Sequence, residues 1–421
     1  MPLSKEELAR RLKTARQLAT LTQADVATEL GIARSAVAEI ESGRRSISGL
    51  ELERFAYVVG RDMRDFLADD FSEEDVLSAL FRAQPEVVES GAVLPRLRHC
   101  LVLARELQNL ERLAGVERTA LLGTSYAAAV PRTKWDAIQQ GERAAVVERQ
   151  RLGLGKSQLG DLVQILESQG IRTATVDLPD DVSGLTIAPD ASSAFVAVNK
   201  SHHVNRLRFS FAHEYCHVLF DRDTRGQVSR SSERDDLREV RANAFAATML
   251  MPEEGVLDAV EALGKGRLSR QATSVFDGDE AVSAESRAEP GSQDIQYYDV
   301  LQLAALFVVS PLAMIYRLKN LRLVSEAELE QLREQDTGRR AVELGRLMQM
   351  PDDNADRTEP SGAHAVFQRR FIGLGLEVFR RGKITHSKLR ELALLIDIDR
   401  DALDAALDAA GLNDNAPLGA G

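Results

Sequence analysis

The segment His213-Glu214-Tyr215-Cys216-His217 restricts this chain more than any other feature. Imidazoles four residues apart on an α-helix are separated by about 400° of rotation, so both project from one face and can share a single ion. Such a helix needs a second element to complete the ligand set, and Glu239-Val240-Arg241-Ala242-Asn243-Ala244-Phe245-Ala246 offers one. A catalytic zinc takes three protein ligands and keeps a fourth position for water; two histidines and a carboxylate are a known set, and Glu239 can supply the third. Glu214 adjoins the first histidine without being a ligand, where it can take a proton from the attacking water and pass it to a leaving amine. The run Arg206 to Ala212 is apolar at helical spacing through Phe209, Ala212, Cys216 and Leu219, so one face packs while the other carries the metal. Around Glu239 a helix-rich stretch runs to Met251-Pro252, where proline discourages continuation. A bare H-E-x-x-H also arises by chance or as a salt-bridged surface pair. The downstream Glu-x-x-Ala-Asn-x-Phe-Ala and Leu-Met-Pro argue against both.

Here the chain resembles the ImmA/IrrE family of zinc-dependent peptidases. The family pattern is a strand pair, an Arg-Phe-x-x-Ala-His-Glu-x-x-His helix, and a Glu-x-x-Ala-Asn/Asp-x-Phe-Ala helix ending near Met-Pro. Arg208, Phe209, Ala212, His213, Glu214, His217, Glu239, Ala242, Asn243, Phe245, Ala246, Met251 and Pro252 meet it, within residues 140–255. The resemblance implies His213, His217 and Glu239 as ligands of one Zn2+ per chain, Glu214 as general base, and a gluzincin-like metallo-endopeptidase. Phe307, Val309, Ser310, Ala313, Arg317 and Leu318 resemble the segment that follows the core in the same family, and packing against that core is expected. Cys216 departs from the small or apolar residue expected at its position and reads as a buried small hydrophobe rather than a metal ligand or redox switch.

The amino end carries a second signal. Residues 5–66 read as short helices: Glu7 to Leu18, Thr22 to Leu30, a Gly31 turn, Arg34 to Ile40 and Ser48 to Val59, with Thr22 a good cap and Gly31 a good stop. Helix, glycine turn and second helix is the layout that places a recognition helix in the DNA major groove. This module resembles the lambda-repressor-like helix-turn-helix of the XRE group, through Thr22-Gln23, Leu30-Gly31-Ile32 and Val37-Ala38-Glu39-Ile40-Glu41-Ser42-Gly43-Arg44. The resemblance implies a double-stranded DNA operator. Gln23 would cap its helix against a phosphate, Arg34, Ser35 and Glu39 would face base edges, and Arg44 and Arg45 would hold the backbone, with Arg16 and Glu41 as an internal ion pair. Up to Arg64 there are 11 Lys/Arg and 9 Asp/Glu, against −12 for the whole chain, so charge supports DNA binding weakly. A dimerisation or protein-docking bundle is the alternative for this module.

At 421 residues, 44% hydrophobic and 5% aromatic, the chain is long enough for several domains with ample core. The fold class expected is mainly α with a small antiparallel sheet (α+β). The expected order is a helix-turn-helix domain over 1–66, a helical connector and possible dimer interface over 67–140, a metallopeptidase domain over 141–330 with a mobile loop at 272–293, and a polar linker with a helical end domain over 331–421. Three short strands are expected at Thr173 to Leu178, Leu185 to Ala188 and Ala194 to Asn199. No run reaches a membrane span, the start lacks a signal-peptide core, and two distant cysteines exclude a disulfide framework, so a cytoplasmic protein is expected. His364, in a linker, and His386, at a helix start, read as solvent-facing. His202 and His203 precede the metal helix and read as surface residues of a polar turn.

Two functional readings follow. In one, the chain is a DNA-binding homodimeric regulator whose zinc peptidase cuts a protein such as a repressor or antitoxin in a stress or mobile-element response. In the other, it is a non-proteolytic transcription factor or antitoxin whose peptidase-like domain senses a ligand or binds a partner protein.

Overall fold

The structure, a computed structural model, describes residues 3–19, 21–59, 61, 63–67, 93–116, 126, 129–190, 193–221, 226–233, 235–266, 270–277, 280–287, 289, 291–348 and 362–412. The amino-terminal module is five helices, α1 (Lys5–Leu18), α2 (Gln23–Leu30), α3 (Arg34–Glu41), α4 (Gly49–Val58) and α5 (Met63–Leu67). Its helix starts are written in the local sequence. Ser4 caps α1, and Thr22 with Asp25 and Ser48 with Glu51 form reciprocal capping boxes on α2 and α4. Gly31 ends α2 at φ 68°, a left-handed conformation that glycine adopts without strain. Leu12, Val26, Val37, Ile40 and Phe55 are buried at helical spacing, and the Phe66 ring meets that of Phe55 edge-on at 6.0 Å. Arg16 and Glu41 form the expected internal pair, Nη2 to Oε2 at 3.0 Å.

The centre is a four-stranded sheet in the order β1-β3-β2-β4, with β1 Ile171–Val176, β2 Val182–Asp190, β3 Ser193–Asn199 and β4 Gly226–Arg230. β2 runs antiparallel to β3 and β4, but β1 and β3 are parallel, so the sheet is mixed rather than antiparallel throughout. β3 occupies the place beside β1 that a simple meander would give to β2. Along β3 both alternating faces are apolar: Phe195 and Ala197 enter one core, Ala194, Val196 and Val198 the other. A strand covered on both sides needs such a continuous apolar run.

On one face lie α6 (Val93–Ala114) and α16 (Gly362–Arg380), in a core continuous with the amino-terminal module. On the other lie α7 (Lys134–Arg151), α8 (Leu162–Ser168), α9 (Val204–Phe220), α10 (Leu237–Leu250), α11 (Glu253–Ala262), α12 (Tyr297–Phe307), α13 (Pro311–Asn320), α14 (Glu326–Gln335) and α15 (Gly338–Leu347). The expected Ser310 cap with Pro311 in the first turn starts α13, and Phe307, Val309, Arg317 and Leu318 are buried in this core. Two last helices, α17 (His386–Leu395) and α18 (Arg400–Ala409), pack on α16 through Leu389, Ala393, Leu403 and Leu407. No single helix among the described residues is long and apolar enough to cross a membrane.

Two expectations are corrected. Part of the segment 272–293 is a hairpin, β5 (Arg270–Asp277) against β6 (Glu280–Arg287), rather than a mobile loop. Pairing of the two strands satisfies the backbone groups that face each other whatever the polarity of the side chains, and the Asp277-Gly278 dipeptide is a hairpin signal that the surrounding Ser, Thr and Glu obscured. His364 is no linker residue. It stands on α16, half-buried, with Nδ1 2.9 Å from Thr175 Oγ1. Asp69-Asp70 and Glu73-Glu74-Asp75, in the connector, and most of the polar stretch before α16 lie outside the described residues.

Candidate metal centre

α9 starts at His203, whose Nδ1 accepts the Asn205 amide at 3.3 Å, and is buried almost throughout from Ser210 to Leu219. His213 and His217 share one face, ring centroids 4.9 Å apart. α10 crosses that face and delivers Glu239 from its first turn, where the amino end of a helix favours a carboxylate. His213 Nε2 lies 3.0 Å from Glu239 Oε2, His217 Nε2 lies 3.2 Å from Glu239 Oε1, and the two Nε2 atoms are 3.2 Å apart. One nitrogen from each histidine and one carboxylate oxygen all fall within 4.8 Å of one another, in buried side chains.

The opposite ring nitrogens are committed elsewhere. His213 Nδ1 is 3.0 Å from Asn243 Oδ1, and His217 Nδ1 is 2.8 Å from Asp221 Oδ2. Asp221 is itself gripped by Arg241 Nη2 at 2.6 and 2.8 Å, with that guanidinium stacked over the Phe220 ring at 4.4 Å. Gln227, from β4, donates to Glu239 Oε1 at 3.2 Å. An acceptor on Nδ1 selects the tautomer whose Nε2 lone pair faces the shared point, the arrangement metal-binding histidines use. Burial opposes protonation of His217, but the charge of Glu239 and the bond to Asp221 outweigh it and raise its pKa well above the ordinary value. Burial likewise opposes ionisation of Glu239, and the two histidines reverse it.

Glu214 faces the sheet instead. It is fully buried, accepts from Thr186 Oγ1 at 2.7 Å through Oε2, and its Oε1 has no hydrogen-bond partner among the described residues. Burial pushes its carboxyl above the usual range against the pull of His217, His213 and Thr186. Gly184 on β2 makes room for it: a Cβ there would lie 2.5 Å from Glu214 Oε1. Two imidazole nitrogens and a carboxylate oxygen are borderline-to-hard donors that suit a divalent zinc, and an unpartnered carboxylate oxygen beside them suits an acceptor of a water proton. The residues present therefore fit the ion. The pattern H-E-x-x-H revealed three of these side chains and the acidic motif the fourth. Asp221, Arg241, Thr186, Gly184 and Gln227 went unassigned, although Asp221 stands four residues beyond His217 at the end of the same helix. Cys216 is buried and takes no part in the cluster, His203 serves as helix cap, and His386 opens α17 with Nε2 3.7 Å from Asp404.

In the amino-terminal module Arg34, Ser35 and Glu39 are exposed on α3, and Arg44 is exposed just beyond it. Gln23 turns its amide to Glu41 Oε2 at 2.9 Å, and Arg45 is held by Glu51 at 2.6 Å. These two side chains are thus tied to neighbours within the module.

Residues 166–273 match the family model described as the IrrE N-terminal-like domain, and residues 12–66 match that of the helix-turn-helix. No curated protein matches the chain. The chain is similar to an XRE-type helix-turn-helix DNA-binding regulator joined to an ImmA/IrrE-like, peptidase-like domain.

Proposed function

We propose that this chain is a DNA-binding transcriptional regulator carrying a zinc-dependent metallo-endopeptidase that cleaves a repressor- or antitoxin-like protein. The observation that carries the reading is the convergence of His213 Nε2, His217 Nε2 and Glu239, with both Nδ1 atoms tied back to Asn243 and Asp221. His213, His217 and Glu239 would hold the ion, which when bound supplies the Lewis acidity that amide hydrolysis requires. Glu214 acts as general base through its unpartnered Oε1, its raised pKa bringing it closer to that of a base that must also return the proton to the leaving amine. Thr186 holds the other oxygen and fixes the direction of the first. β4 is an edge of the sheet and carries Gln227 to Glu239, so an extended substrate peptide would pair along it by backbone hydrogen bonds. On the DNA side, Arg34, Ser35 and Glu39 read base edges from α3 and Arg44 meets the backbone, in a homodimer spanning two half-sites of an operator.

The deciding experiment combines elemental analysis with a cleavage assay against cellular partner proteins. One zinc per chain, lost in Glu239→Gln, together with cutting that Glu214→Gln abolishes while keeping its metal, is the expected result. Metal without cleavage would move the function to the second reading, a ligand-sensing or partner-binding domain. Absence of metal from the wild type would overturn the zinc assignment.

A further inference from the structure

Away from the metal cluster, a cavity of about 120 Å³ lies where α6, the ends of β1 and β3, α16 and α17 meet. Leu103, Val176, Phe367 and Ile396 give it an apolar wall, and Arg96, His99 and Lys200 bring hydrogen-bond donors to the same space. We propose that this cavity binds a small organic monocarboxylate with a compact apolar body, about the size of benzoate.

β1 and β3 are the parallel pair of the sheet, in register from Ile171 with Ala194 to Val176 with Asn199. Val176, Asp177 and Lys200 stand at or just past their carboxyl ends, the side of parallel strands on which ligands collect in open α/β sheets. At about 120 Å³ the cavity is somewhat smaller than the roughly 150 Å³ apolar cavity that accepts benzene, so it takes a single small ring or short branched chain only with the headgroup outward, toward the half-exposed Arg96.

The donor balance names the headgroup. Arg96 meets Asp177 Oδ2 at 2.7 Å and Lys200 meets Asp397 Oδ2 at 3.3 Å. A guanidinium carries five N–H groups and an ammonium three, so each cation keeps donors to spare. The aspartates stand 47% and 73% exposed, where water satisfies them, and ion pairs so exposed hold their partners weakly. The His99 imidazole is half-buried and lines the same cavity. Burial, aided by the charges of Arg96 and Lys200, holds it below the usual histidine range despite Asp397, leaving an uncharged ring that still has an N–H to give. A carboxylate between Arg96, Lys200 and His99 would use all three. α6 shares its core with the amino-terminal module and β1 belongs to the sheet beneath α9, so a bound acid would bridge the two. Nothing in this reading depends on the metal.

Isothermal titration calorimetry of the full chain tests it, with benzoate as probe and benzyl alcohol as its uncharged counterpart. Saturable binding of one benzoate per chain is expected, about tenfold weaker for benzyl alcohol and for an Arg96→Met/Lys200→Met variant whose thermal unfolding matches wild type. Equal binding of benzoate and the alcohol would overturn the anion assignment, and unchanged binding by the variant would overturn the placement. No saturable heat from benzoate, phenylacetate or butyrate up to about 10 mM, already a weak affinity, would overturn the site itself.

Discussion

His213 and His217 each commit Nδ1 to a fixed acceptor, but the two acceptors differ in what else they hold. Asn243 is half-buried and serves His213, so Asn243→Ala should lower metal affinity about 10- to 100-fold while leaving the unfolding midpoint nearly unchanged. Asp221 also neutralises Arg241, which is 3% exposed. Asp221→Ala would leave that guanidinium buried beside an empty place, costing about 3 kcal/mol or more in addition to the metal affinity. Chelator-competition titration and urea unfolding on the two variants separate the effects. Equal destabilisation by both would show that Arg241 finds another partner. Of this network only His213, Glu214, His217 and Glu239 were legible in the chain, the first three from their spacing on a helix and the last from the acidic motif downstream. Thr186 and Gly184 reach Glu214 from β2, across a separation that carries no periodicity.

Helix packing sets a different limit. α7 and α10 approach so closely at Gly141 that a Cβ there would lie 2.3 Å from the carbonyl oxygen of Arg241 and 2.8 Å from the amide nitrogen of Phe245. Alanine ordinarily stabilises a helix interior relative to glycine by roughly 0.5–1 kcal/mol. Here the sign reverses: Gly141→Ala should destabilise by about 2 kcal/mol and loosen Glu239, because backbone cannot step aside. Gly373 on α16, exposed with nothing within 4 Å of a Cβ, is the control, and Gly373→Ala should stabilise. Chemical denaturation of the pair decides it, and a stabilised Gly141→Ala would refute the close approach. Arg34 is exposed in the first turn of α3, so Arg34→Ala should weaken operator binding by about 1–3 kcal/mol without altering stability. Gel-shift titration at several salt concentrations checks this, and undiminished affinity would sink the assignment of that helix.

Across the whole molecule, Glu111 on α6 is a joint between parts distant in sequence. It is 2% exposed and accepts from Arg172 Nε on β1 at 2.8 Å and from Arg370 on α16 at 2.5 Å. Glu111→Gln leaves Arg172 facing an uncharged amide, while Arg370 keeps Glu167 at 2.7 Å, and should cost about 1–3 kcal/mol. Because the three elements belong to separate stretches of chain, unfolding followed by tyrosine fluorescence and by circular dichroism should also cease to coincide. Coincident transitions with a small loss would mean that the apolar core alone joins them.

What the chain by itself determined is local: capped helices in the amino-terminal module, the two histidines on one helix face, a carboxylate on a second helix, and the strands β1, β2 and β3 but not β4. Each follows from spacing within a few residues, where a period of 3.6 or 2 or a capping side chain leaves its mark. Tertiary structure alone decided that β3 would lie parallel to β1, that Asp221 and Asn243 would orient the imidazoles, that Gly184 would yield its side-chain space to Glu214, and that α6 and α16 would close over the far face of the sheet. Apart from Asp221, four residues beyond His217 at the end of the same helix, these contacts join residues separated by tens to hundreds of positions. Their geometry depends on how all the apolar faces are buried together, which no local pattern encodes.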